Sequence, residues 1–445
     1  MRLTIIGGGG FRVPLIFRAL ARDPEPVIDE LVLYDSDGAR LRRIGAVIEA
    51  MAGDLIGPAV RQETELEPAL RGTDFVFQAI RVGGPAGRVC DERAALDLGL
   101  LGQETTGAGG LCYGLRTVPV VLRLAETIRR VAPEAWVINF TNPAGMVTEA
   151  ASAVLGDRVI GICDSPVGLF RRSARALGIR LEDATFDYAG LNHLGWLRRI
   201  MVGDQDRLPE LLASDELLAR VEEGRLFGAD WLRSLGAIPN EYLWYWYATA
   251  DAIAAITAAG ETRGEYLLRQ QEQYFGAEDD RDPLQAWEAT RRAREETYLA
   301  EEREATGAGA RDDDDLEGGG YEGVALDLIR AIGRDRPARL VLNLPNRGTL
   351  PGLDDAAVIE VPCLVDRAGP RPVPTAPLEP YQQGVVITMK DVERTVIEAA
   401  RAGSRSLAVR ALALHPLVDS VNHARMIIDR QLREQAALRE VLTAP

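Results

Sequence analysis

Short apolar runs alternate with longer amphipathic stretches over the first third of the chain. Runs rich in β-branched residues, such as RLTII (2–6), ELVLYD (30–35) and WVINF (136–140), indicate buried strands. Segments between them, such as GARLRRIGAVIEAMAG (38–53), have the periodicity of a helix. Strands that alternate with helices form right-handed βαβ units and a parallel sheet. We therefore predict an α/β fold, with a Rossmann-like, doubly wound parallel sheet over residues 1–165.

The pattern changes in the remainder of the chain. ATFDYAGLNHLGWLRRI (184–200) predicts a strand pair or a strand with a sharp bend, and helical periodicity then dominates from about 208 to 302. ARLVLNLPN (338–346) and AAVIEVPCLV (356–365) predict later strands, and helices complete the chain. We predict a second, mixed α/β and helix-rich domain over residues 166–445.

Two further local predictions concern a long helix and two loops. LRTVPVVLRLAETIRRVAPEA (115–135) predicts a helix with Pro119 near its start, preceded by a polar, glycine-rich loop at 102–117. The acidic, glycine-rich segments 276–283 and 307–320 predict mobile surface loops. The four aspartates in the second segment lack the alternating ligand spacing of a calcium loop, so we expect them to be solvated.

Composition and charge exclude several classes of protein. A net charge of −16 argues against nucleic acid as the main partner, because nothing offsets phosphate repulsion. We find no run of about 18 apolar residues and no signal-peptide pattern, so we expect a cytoplasmic protein without a membrane span. The four cysteines form no CxxC pair and are expected to be reduced thiols, most of them buried.

A strand, a run of four glycines and a helix open the chain. Pyrophosphate must approach main-chain N–H groups closely, which a Cβ would block, and the helix N-terminus adds a favourable dipole. Asp35 ends the second strand, where a carboxylate binds ribose hydroxyls and favours NAD over NADP. The alternative is a βα turn of another α/β fold that binds no phosphate. The predicted cofactor-binding residues are Gly7, Gly8, Gly9, Gly10 and Asp35.

Polar residues follow several predicted strands, where open α/β sheets bind ligands. Arg81 and Asn142 come just after two strands, and Cys163 ends a third. His193 lies in AGLNHLGW, with a glycine on each side, directly after another strand. One thiolate and one imidazole can bind a divalent metal and leave positions open for substrate oxygens or water. The other histidines, at 415 and 423, are expected at a helix surface or interface.

Several of these motifs together resemble one enzyme family. The motifs are IIGGGG (5–10), IRVGG (80–84), GQETTGAGG (102–110), NFTNPAG (139–145), GICDSP (161–166), GLNHLGW (190–196), NEYLWYWY (240–247) and GETRGEY (260–266). In combination they resemble glycoside hydrolase family 4, the NAD-dependent and divalent-metal-dependent glycosidases. GGGYEGVALDLIRAI (318–332), LNLPNRGTLPGL (342–353) and VIEVPCLVDRAGPRPVP (358–374) are most similar to the 6-phospho-β-glucosidase branch.

The resemblance assigns roles to individual positions. It implies that Cys163 and His193 are the ligands of a divalent metal, usually Mn²⁺. It further implies that Tyr242 is the general base and that Asp164 corresponds to a general acid of some branches. The substrate-binding positions that it implies are Arg81, Asn142 and Arg263. The glycine turn and the acidic residue after the second strand match the NAD site.

The implied activity is the hydrolysis of 6-phospho-β-glucosides. The steps are NAD-dependent oxidation at sugar C3, metal-assisted removal of the C2 proton, elimination at C1, water addition and re-reduction. The resemblance also implies an NAD-binding domain over 1–165 and a domain for substrate, metal and oligomerisation over 166–445. We expect a homodimer or homotetramer whose small-molecule partner is a phosphorylated glycoside.

Three alternatives remain at the level of sequence. In the β-glucosidase branch we expect Asn after the metal-binding cysteine, whereas Asp164 is similar to the 6-phospho-α-glucosidases. A simple NAD-dependent hydroxy-acid dehydrogenase would use His193 as its acid and base. A non-catalytic regulator would bind NAD and turn over no sugar.

Overall fold

The computed structural model describes residues 1–277, 282–297, 303, 306–307 and 320–444. The aspartate run for which we expect a solvated loop lies outside these ranges, as does the middle of the other acidic loop. Within the described residues, no helix combines the length and the apolar character needed to cross a membrane.

One sheet of thirteen strands runs through the described chain. The strands are β1 (Arg2–Ile6), β2 (Glu30–Tyr34), β3 (Ala59–Glu63), β4 (Phe75–Gln78), β5 (Trp136–Asn139), β6 (Val159–Ile162), β7 (Ala184–Leu191), β8 (Leu194–Val202), β9 (Gln205–Asp206), β10 (Ile238–Pro239), β11 (Ala338–Pro345), β12 (Val358–Asp366) and β13 (Gly369–Pro372). Their order is β10-β8-β7-β12-β11-β6-β5-β4-β1-β2-β3, and β13 and β9 pair with β12 and β8.

The parallel part of the sheet confirms the predicted fold class. Strands β3, β2, β1, β4, β5 and β6 are neighbours in that order, and each of these pairs is parallel. This order is the one that dinucleotide-binding Rossmann folds share. β1 and β4 are neighbours in the sheet but not consecutive in sequence, and the direction of winding reverses between them. This reversal opens a crevice at the carboxyl ends of the strands.

The sheet continues beyond the parallel part through antiparallel strands. β11 pairs with β6, with Leu342 opposite Ile162, and β12 pairs with β11 on its other side. β7 and β8 form the predicted strand pair, an antiparallel hairpin whose two-residue turn is Asn192 and His193. Since β6 ends before residue 165 and β11 begins after 330, the sheet joins the two halves of the chain.

Helices cover the faces of the sheet and make up most of the second half. The α-helices are α1 (Val13–Ala21), α2 (Gly38–Ala52), α3 (Leu66–Leu70), α4 (Gly84–Leu96), α5 (Ala108–Val131), α6 (Ala144–Leu155), α7 (Ser165–Ala176), α8 (Leu208–Ala213), α9 (Asp215–Leu218), α10 (Glu222–Phe227), α11 (Ala229–Leu235), α12 (Trp244–Tyr247), α13 (Thr249–Ala258), α14 (Arg263–Gly276), α15 (Pro283–Glu296), α16 (Tyr321–Arg334), α17 (Pro380–Ala402), α18 (Arg405–Leu414), α19 (Val421–Glu434) and α20 (Ala436–Val441). Short 3₁₀ turns lie at Gly156–Arg158, Leu181–Asp183 and Glu241–Leu243.

The long helix α5 begins earlier than the sequence predicts. Pro119 lies in its interior rather than near its start, and the expected loop at 102–117 is helical from Ala108 onward. Its glycines allow close packing, because a Cβ at Gly114 would lie only 2.3 Å from the Met146 sulfur. Tertiary packing therefore overrides the low helix propensity of this segment.

The two histidines near the end of the chain, His415 and His423, differ in how deeply they are buried. His415 is 1% exposed and its ring stacks on that of Trp246, so it lies at a packing interface, which is one of the two positions expected for it. His423 is only half-buried in α19 and its Nδ1 contacts Asp419. The four cysteines are free thiols, three of them buried, as the sequence predicts.

A buried ion pair fixes α4 against α5 near the crevice. The guanidinium of Arg116 donates two hydrogen bonds to Asp91, at 2.7 and 2.6 Å, and the two side chains are 1% and 3% exposed. Gln435 of the chain's last helical region donates a third hydrogen bond to Asp91, at 3.1 Å. This carboxylate therefore connects three segments that are distant in sequence.

We predict that Asp91→Ala lowers the free energy of unfolding by about 3–5 kcal/mol, because it leaves the Arg116 guanidinium buried without its counter-ion. Urea denaturation measures the change. Glu126→Ala is the control, since Glu126 pairs with Arg129 on the exposed side of α5 and its loss changes stability by less than about 1 kcal/mol. Equal losses in the two variants would contradict the prediction.

Candidate active site

One cavity of about 1270 Å³ brings together most of the predicted site residues. It lies where β1, β4, β5 and β6 end, which is the ligand-binding edge of an open α/β sheet. The predicted residues that line it are Gly7, Gly10, Asp35, Arg81, Asn142, Cys163, Asp164, His193, Tyr242 and Arg263. Gly8 and Gly9 are buried behind this surface.

The glycine turn packs tightly against the protein itself. Gly7 has a φ of +96°, and a Cβ there would lie 2.4 Å from the carbonyl oxygen of Ala79. A Cβ on Gly8 would lie 2.8 Å from the Tyr34 nitrogen. The N–H groups of both glycines donate to the Tyr34 carbonyl, at 3.0 and 2.7 Å. The bare backbone therefore lets the turn fit between β2 and β4.

The edge of this turn that faces the cavity has the donor and acceptor groups of a dinucleotide site. Asp35 accepts hydrogen bonds from the N–H groups of Gly9 and Asp37, at 2.9 and 3.0 Å, which fix its carboxylate at the cavity wall. The N–H of Phe11, just before α1, donates no hydrogen bond within the described residues. An unsatisfied amide at a helix start attracts an anionic group.

His193 lies at the tip of the β7–β8 hairpin with a φ of +62°. Its Nδ1 is 2.9 Å from the Thr105 hydroxyl, and its ring is parallel to that of Tyr242, with centroids 3.7 Å apart. Burial lowers the pKa of His193 to about 4, although the nearby Glu104 carboxylate opposes this shift. The imidazole is therefore neutral near pH 7, which is the form that binds metals.

Cys163 directly follows β6 and is 5% exposed. Burial raises the pKa of its thiol, and the negative charges of Glu360 and Asp164 raise it further. A divalent cation deprotonates a thiol that coordinates it, so a thiolate and a neutral imidazole would be suitable ligands at this position. Within the described ranges, no cluster of three or more His, Cys, Asp or Glu side chains could hold a metal. This donor set therefore fits an ion that shares its coordination sphere with substrate or water.

Tyr242 belongs to the 3₁₀ turn that precedes α12. Its N–H donates to the Asn240 side chain at 3.1 Å, which caps this turn. The neighbouring aromatic residues Trp244 and Tyr245 are buried in an apolar cluster. Tyr242 packs against the edge of this cluster and presents its ring to His193 and to the cavity, which Tyr245 also lines. The aromatic run in the sequence is therefore only partly core.

Glu104 is a site residue that sequence reasoning did not single out, although it lies in the quoted GQETTGAGG motif. It binds the guanidinium of Arg81 and that of Arg88, the latter at 2.6 Å. Burial raises the pKa of this carboxyl, but Arg81 and Arg88 outweigh that effect and hold it well below the usual range. Arg81 also lies over the Tyr113 ring, 4.9 Å from its centroid. It is thus restrained before any substrate binds.

Arg294 of α15 lines the same cavity and was also missed. No side chain in the described part of the chain accepts a hydrogen bond from its guanidinium. Burial lowers the pKa of Arg294 to about 9, and the positive charges of Arg12 and Arg263 add to this effect. Arg263 itself donates to the Thr297 hydroxyl at 2.7 Å. The sequence RRAREE resembles an exposed helix face and gives no signal for this position.

Glu360 is a third missed residue, and its sequence contained a signal. It is a lone carboxylate in the apolar run AAVIEVPCLV and is 1% exposed. It accepts hydrogen bonds from Asn192, Asn343 and Tyr188, at 3.0, 2.9 and 3.1 Å. Burial raises the pKa of Glu360 to about 7, against the effect of these donors. An ionisable residue within a buried strand is a functional candidate.

Comparison with known proteins identifies relatives over nearly the whole chain. A "Probable 6-phospho-beta-glucosidase" of Bacillus subtilis (strain 168) is 30% identical, covering 98% of this chain and 97% of the relative. A "Maltose-6'-phosphate glucosidase" of the same organism is 29% identical, covering 96% of this chain and 94% of the relative. Both substrates in these names are phosphorylated glucosides.

A solved structure shares the fold along its full length. The 6-phospho-beta glucosidase of Thermotoga maritima, crystallised with manganese, NAD⁺ and glucose-6-phosphate, superimposes with a TM-score of 0.81. It is 27% identical, and the alignment covers 100% of both chains. The family models "Family 4 glycosyl hydrolase" and "Family 4 glycosyl hydrolase C-terminal domain" match residues 2–179 and 188–418. The chain therefore belongs to glycosyl hydrolase family 4.

Proposed function

We propose that this enzyme hydrolyses 6-phospho-β-glucosides with NAD and a divalent metal, Mn²⁺ being our first choice. The observation that carries the proposal is the convergence of Asp35, Cys163, His193 and Tyr242 on one cavity. Relatives named for phosphorylated glucosides, and a structural neighbour crystallised with manganese, NAD⁺ and glucose-6-phosphate, support it.

The residues on the cavity wall fit both groups. Asp35 and the start of α1, with the Phe11 amide, would hold the dinucleotide, and Cys163 and His193 would hold the metal. When bound, NAD supplies a hydride acceptor and the metal supplies a Lewis acid beside the sugar hydroxyls. The two proposed metal ligands come from β6 and from the β7–β8 turn, so the sheet sets their relative position.

The chain's own residues would supply proton transfer and orientation. Tyr242 removes the proton from sugar C2, and its parallel contact with His193 fixes the plane of the phenol ring. Asp164, at the N-terminus of α7 and on the cavity wall, gives a proton to the leaving oxygen at C1. Asn142, which follows β5, offers its amide to a sugar hydroxyl. Positioned acids and bases of this kind contribute about 10²–10⁴-fold to rate.

The arginine-rich end of the cavity would bind the 6-phosphate. Arg294 faces this space without a hydrogen-bond acceptor among the described residues, beside the positive charges of Arg12 and Arg263. Binding of a phosphate would relieve the repulsion among these guanidiniums and add charge-assisted hydrogen bonds. Arg81 and Arg88 line the same cavity, but Glu104 and Glu92 neutralise them, so the phosphate would bind at the other guanidiniums.

Both branches of the family share features with this chain that bear on the preferred anomer. Asp164 is similar to the α-glucosidase branch, and the maltose-6'-phosphate glucosidase is almost as similar to this chain as the β-glucosidase. We retain the 6-phospho-α-glucosidase as the second candidate. A simple hydroxy-acid dehydrogenase does not account for membership of a glycosidase family.

We also propose how the chain divides into domains and assembles into an oligomer. We propose that residues 1–165 bind NAD and that 166–445 provide the substrate, metal and oligomer contacts. We also propose a homodimer or homotetramer in the cytoplasm, where thiols stay reduced. The free thiols of the described cysteines agree with a reducing compartment.

The first prediction concerns cofactors and substrate. We expect release of an aryl group from an aryl 6-phospho-β-glucoside only when NAD⁺ and Mn²⁺ are both present, with no net NADH. A panel of α and β aryl glucosides, each with and without the 6-phosphate, measures the preference. Activity that survives both chelation and removal of NAD would exclude the proposal. Stoichiometric NADH without aryl release would favour the dehydrogenase.

The second prediction concerns the proposed base and metal ligand. Tyr242→Phe removes the proton acceptor and should lower kcat by about 10²-fold or more. Cys163→Ser should weaken Mn²⁺ binding as well as turnover, because a neutral hydroxyl replaces a thiolate that carries a negative charge. Tyr381→Phe is the matched control, since Tyr381 lies at the surface and donates to the Leu235 carbonyl. Parental rates in the first two variants would remove these residues from the site.

The third prediction concerns phosphate recognition. Arg294→Gln should raise KM for the phosphorylated aryl glucoside by roughly 10–100-fold, the value of a hydrogen bond to a charged group. Hydrolysis of the unphosphorylated glucoside should change little. Arg292→Gln, an exposed position on the same helix, is the control. Equal losses with both substrates would show that Arg294 does not recognise the phosphate.

A further inference from the structure

Glu360 occupies a position from which hydrogen bonds lead to two proposed active-site residues. It lies on β12 opposite Gly190 of β7, so its carboxylate is close to the turn of the β7–β8 hairpin. One oxygen accepts from Asn192 and Asn343, and the other accepts from the Tyr188 hydroxyl. A carboxylate can accept all of these bonds without rearrangement, whereas an amide cannot.

The first path leads to the proposed metal ligand. Asn192 is the residue before His193 and donates its amide to Glu360 at 3.0 Å. His193 adopts a left-handed backbone conformation, with φ of +62°, which is unfavourable for an L-residue. The hydrogen bond of the neighbouring residue helps to hold the turn in that conformation. The imidazole is further held by Thr105, at 2.9 Å from Nδ1.

The second path leads to the proposed base. The Tyr188 hydroxyl donates to Glu360 at 3.1 Å and accepts from the Asn240 amide at 3.5 Å. The Asn240 side-chain oxygen in turn accepts the N–H of Tyr242, at 3.1 Å. Asn240 is fully buried, so its amide cannot exchange these partners for water. The path therefore fixes the start of the turn that carries Tyr242.

The two hydrogen-bond paths end at residues that contact each other, His193 and Tyr242. His193 and Tyr242 stack with their planes 2° apart, so a shift of either ring displaces the other. Gly195 makes room for the connecting hydroxyl, because a Cβ there would lie 2.4 Å from the Tyr188 oxygen. A network that is buried and hydrogen-bonded at each step holds its members in one arrangement.

We propose that Glu360 is a positioning residue that orients the metal ligand His193 through Asn192 and the base Tyr242 through Tyr188 and Asn240. The inference rests on the proposed function, since it uses the roles assigned there. It adds a buried carboxylate to the groups that orient the proposed ligand, which also include the Thr105 hydroxyl and the Tyr242 ring. Such outer partners typically change metal affinity or activity by 10–100-fold.

The experiment measures Mn²⁺ binding and turnover separately in four single variants and one double variant. Free Mn²⁺ is quantified by electron paramagnetic resonance as the purified protein is titrated, which needs no catalysis. Glu360→Gln should weaken Mn²⁺ binding and lower kcat, each by roughly tenfold or more. Its melting temperature should stay close to that of the parent. Asp23→Asn, which removes a buried carboxylate paired with Arg330 elsewhere, should affect stability and neither of the other readouts.

Variants of the two paths separate their effects. Tyr188→Phe should lower kcat by roughly tenfold and leave the Mn²⁺ dissociation constant within about twofold. Asn192→Ala should instead raise that dissociation constant by roughly tenfold. Because residues of one network couple, the Glu360→Gln/Tyr188→Phe double variant should lose less kcat than the product of the single losses. These single variants keep the test valid if Glu360→Gln does not fold.

Different results would overturn the inference about Glu360 and the proposed function. Mn²⁺ affinity and kcat within about twofold of the parent in folded Glu360→Gln and Tyr188→Phe would overturn the inference. So would multiplicative effects in the double variant, or a loss explained entirely by a smaller folded fraction. If the unmodified enzyme binds no Mn²⁺ and cleaves no phosphoglucoside, the proposed function fails instead.

Discussion

A carboxylate buried inside a sheet must find hydrogen-bond donors, and this constraint shapes the site around Glu360. Its three donors come from β7, β11 and the hairpin turn, so the strands that extend the Rossmann sheet are joined at one point. An apolar residue at this position would remove the shared acceptor of all three donors, of which Tyr188 and Asn343 are buried. The antiparallel extension is thus built around a buried carboxylate, whereas the buried polar residues of β1, β4 and β5 (Thr4, Gln78 and Asn139) are uncharged.

The cavity contains both acidic side chains and arginines, and the arginines differ in how closely they pair with a carboxylate. Glu104 neutralises Arg81 and Arg88 at short distance, and Glu295 pairs with Arg12 at 2.9 Å. The Glu295 carboxylate stabilises the charge of Arg294 at a distance, but no described residue accepts a hydrogen bond from its guanidinium. The positive charges of Arg12 and Arg263 lie nearby and oppose its own. A chain with a net charge of −16 therefore contains a local positive surface. The sign of the whole molecule says little about the field inside a pocket.

The glycine turn illustrates how one residue type can satisfy two requirements. A Cβ on Gly7 or Gly8 would lie 2.4 or 2.8 Å from backbone atoms just after β4 or in β2, so the bare backbone is what lets the turn fit there. Gly7 and Gly10 also line the cavity, whereas Gly8 and Gly9 are buried behind it. The four glycines are equivalent in the sequence, and the neighbouring strands decide which of them reach the cavity.

Local patterning determined most of the strands, though not β3, β9, β10 or β13, and it determined the Rossmann-like first half and the family, because short-range periodicity and motif spacing are properties of the chain itself. It left the β7–β8 segment open between a strand pair and a bent strand. Residues that end strands, such as Cys163 and Asn142, were identified for the same reason. Tertiary structure alone decided that α5 begins at Ala108, that Arg294 faces a cavity and that Glu360 connects two arms of the site. Each of these depends on what a distant segment places beside the residue. Burial, hydrogen-bond partners and charge balance arise only when those segments meet.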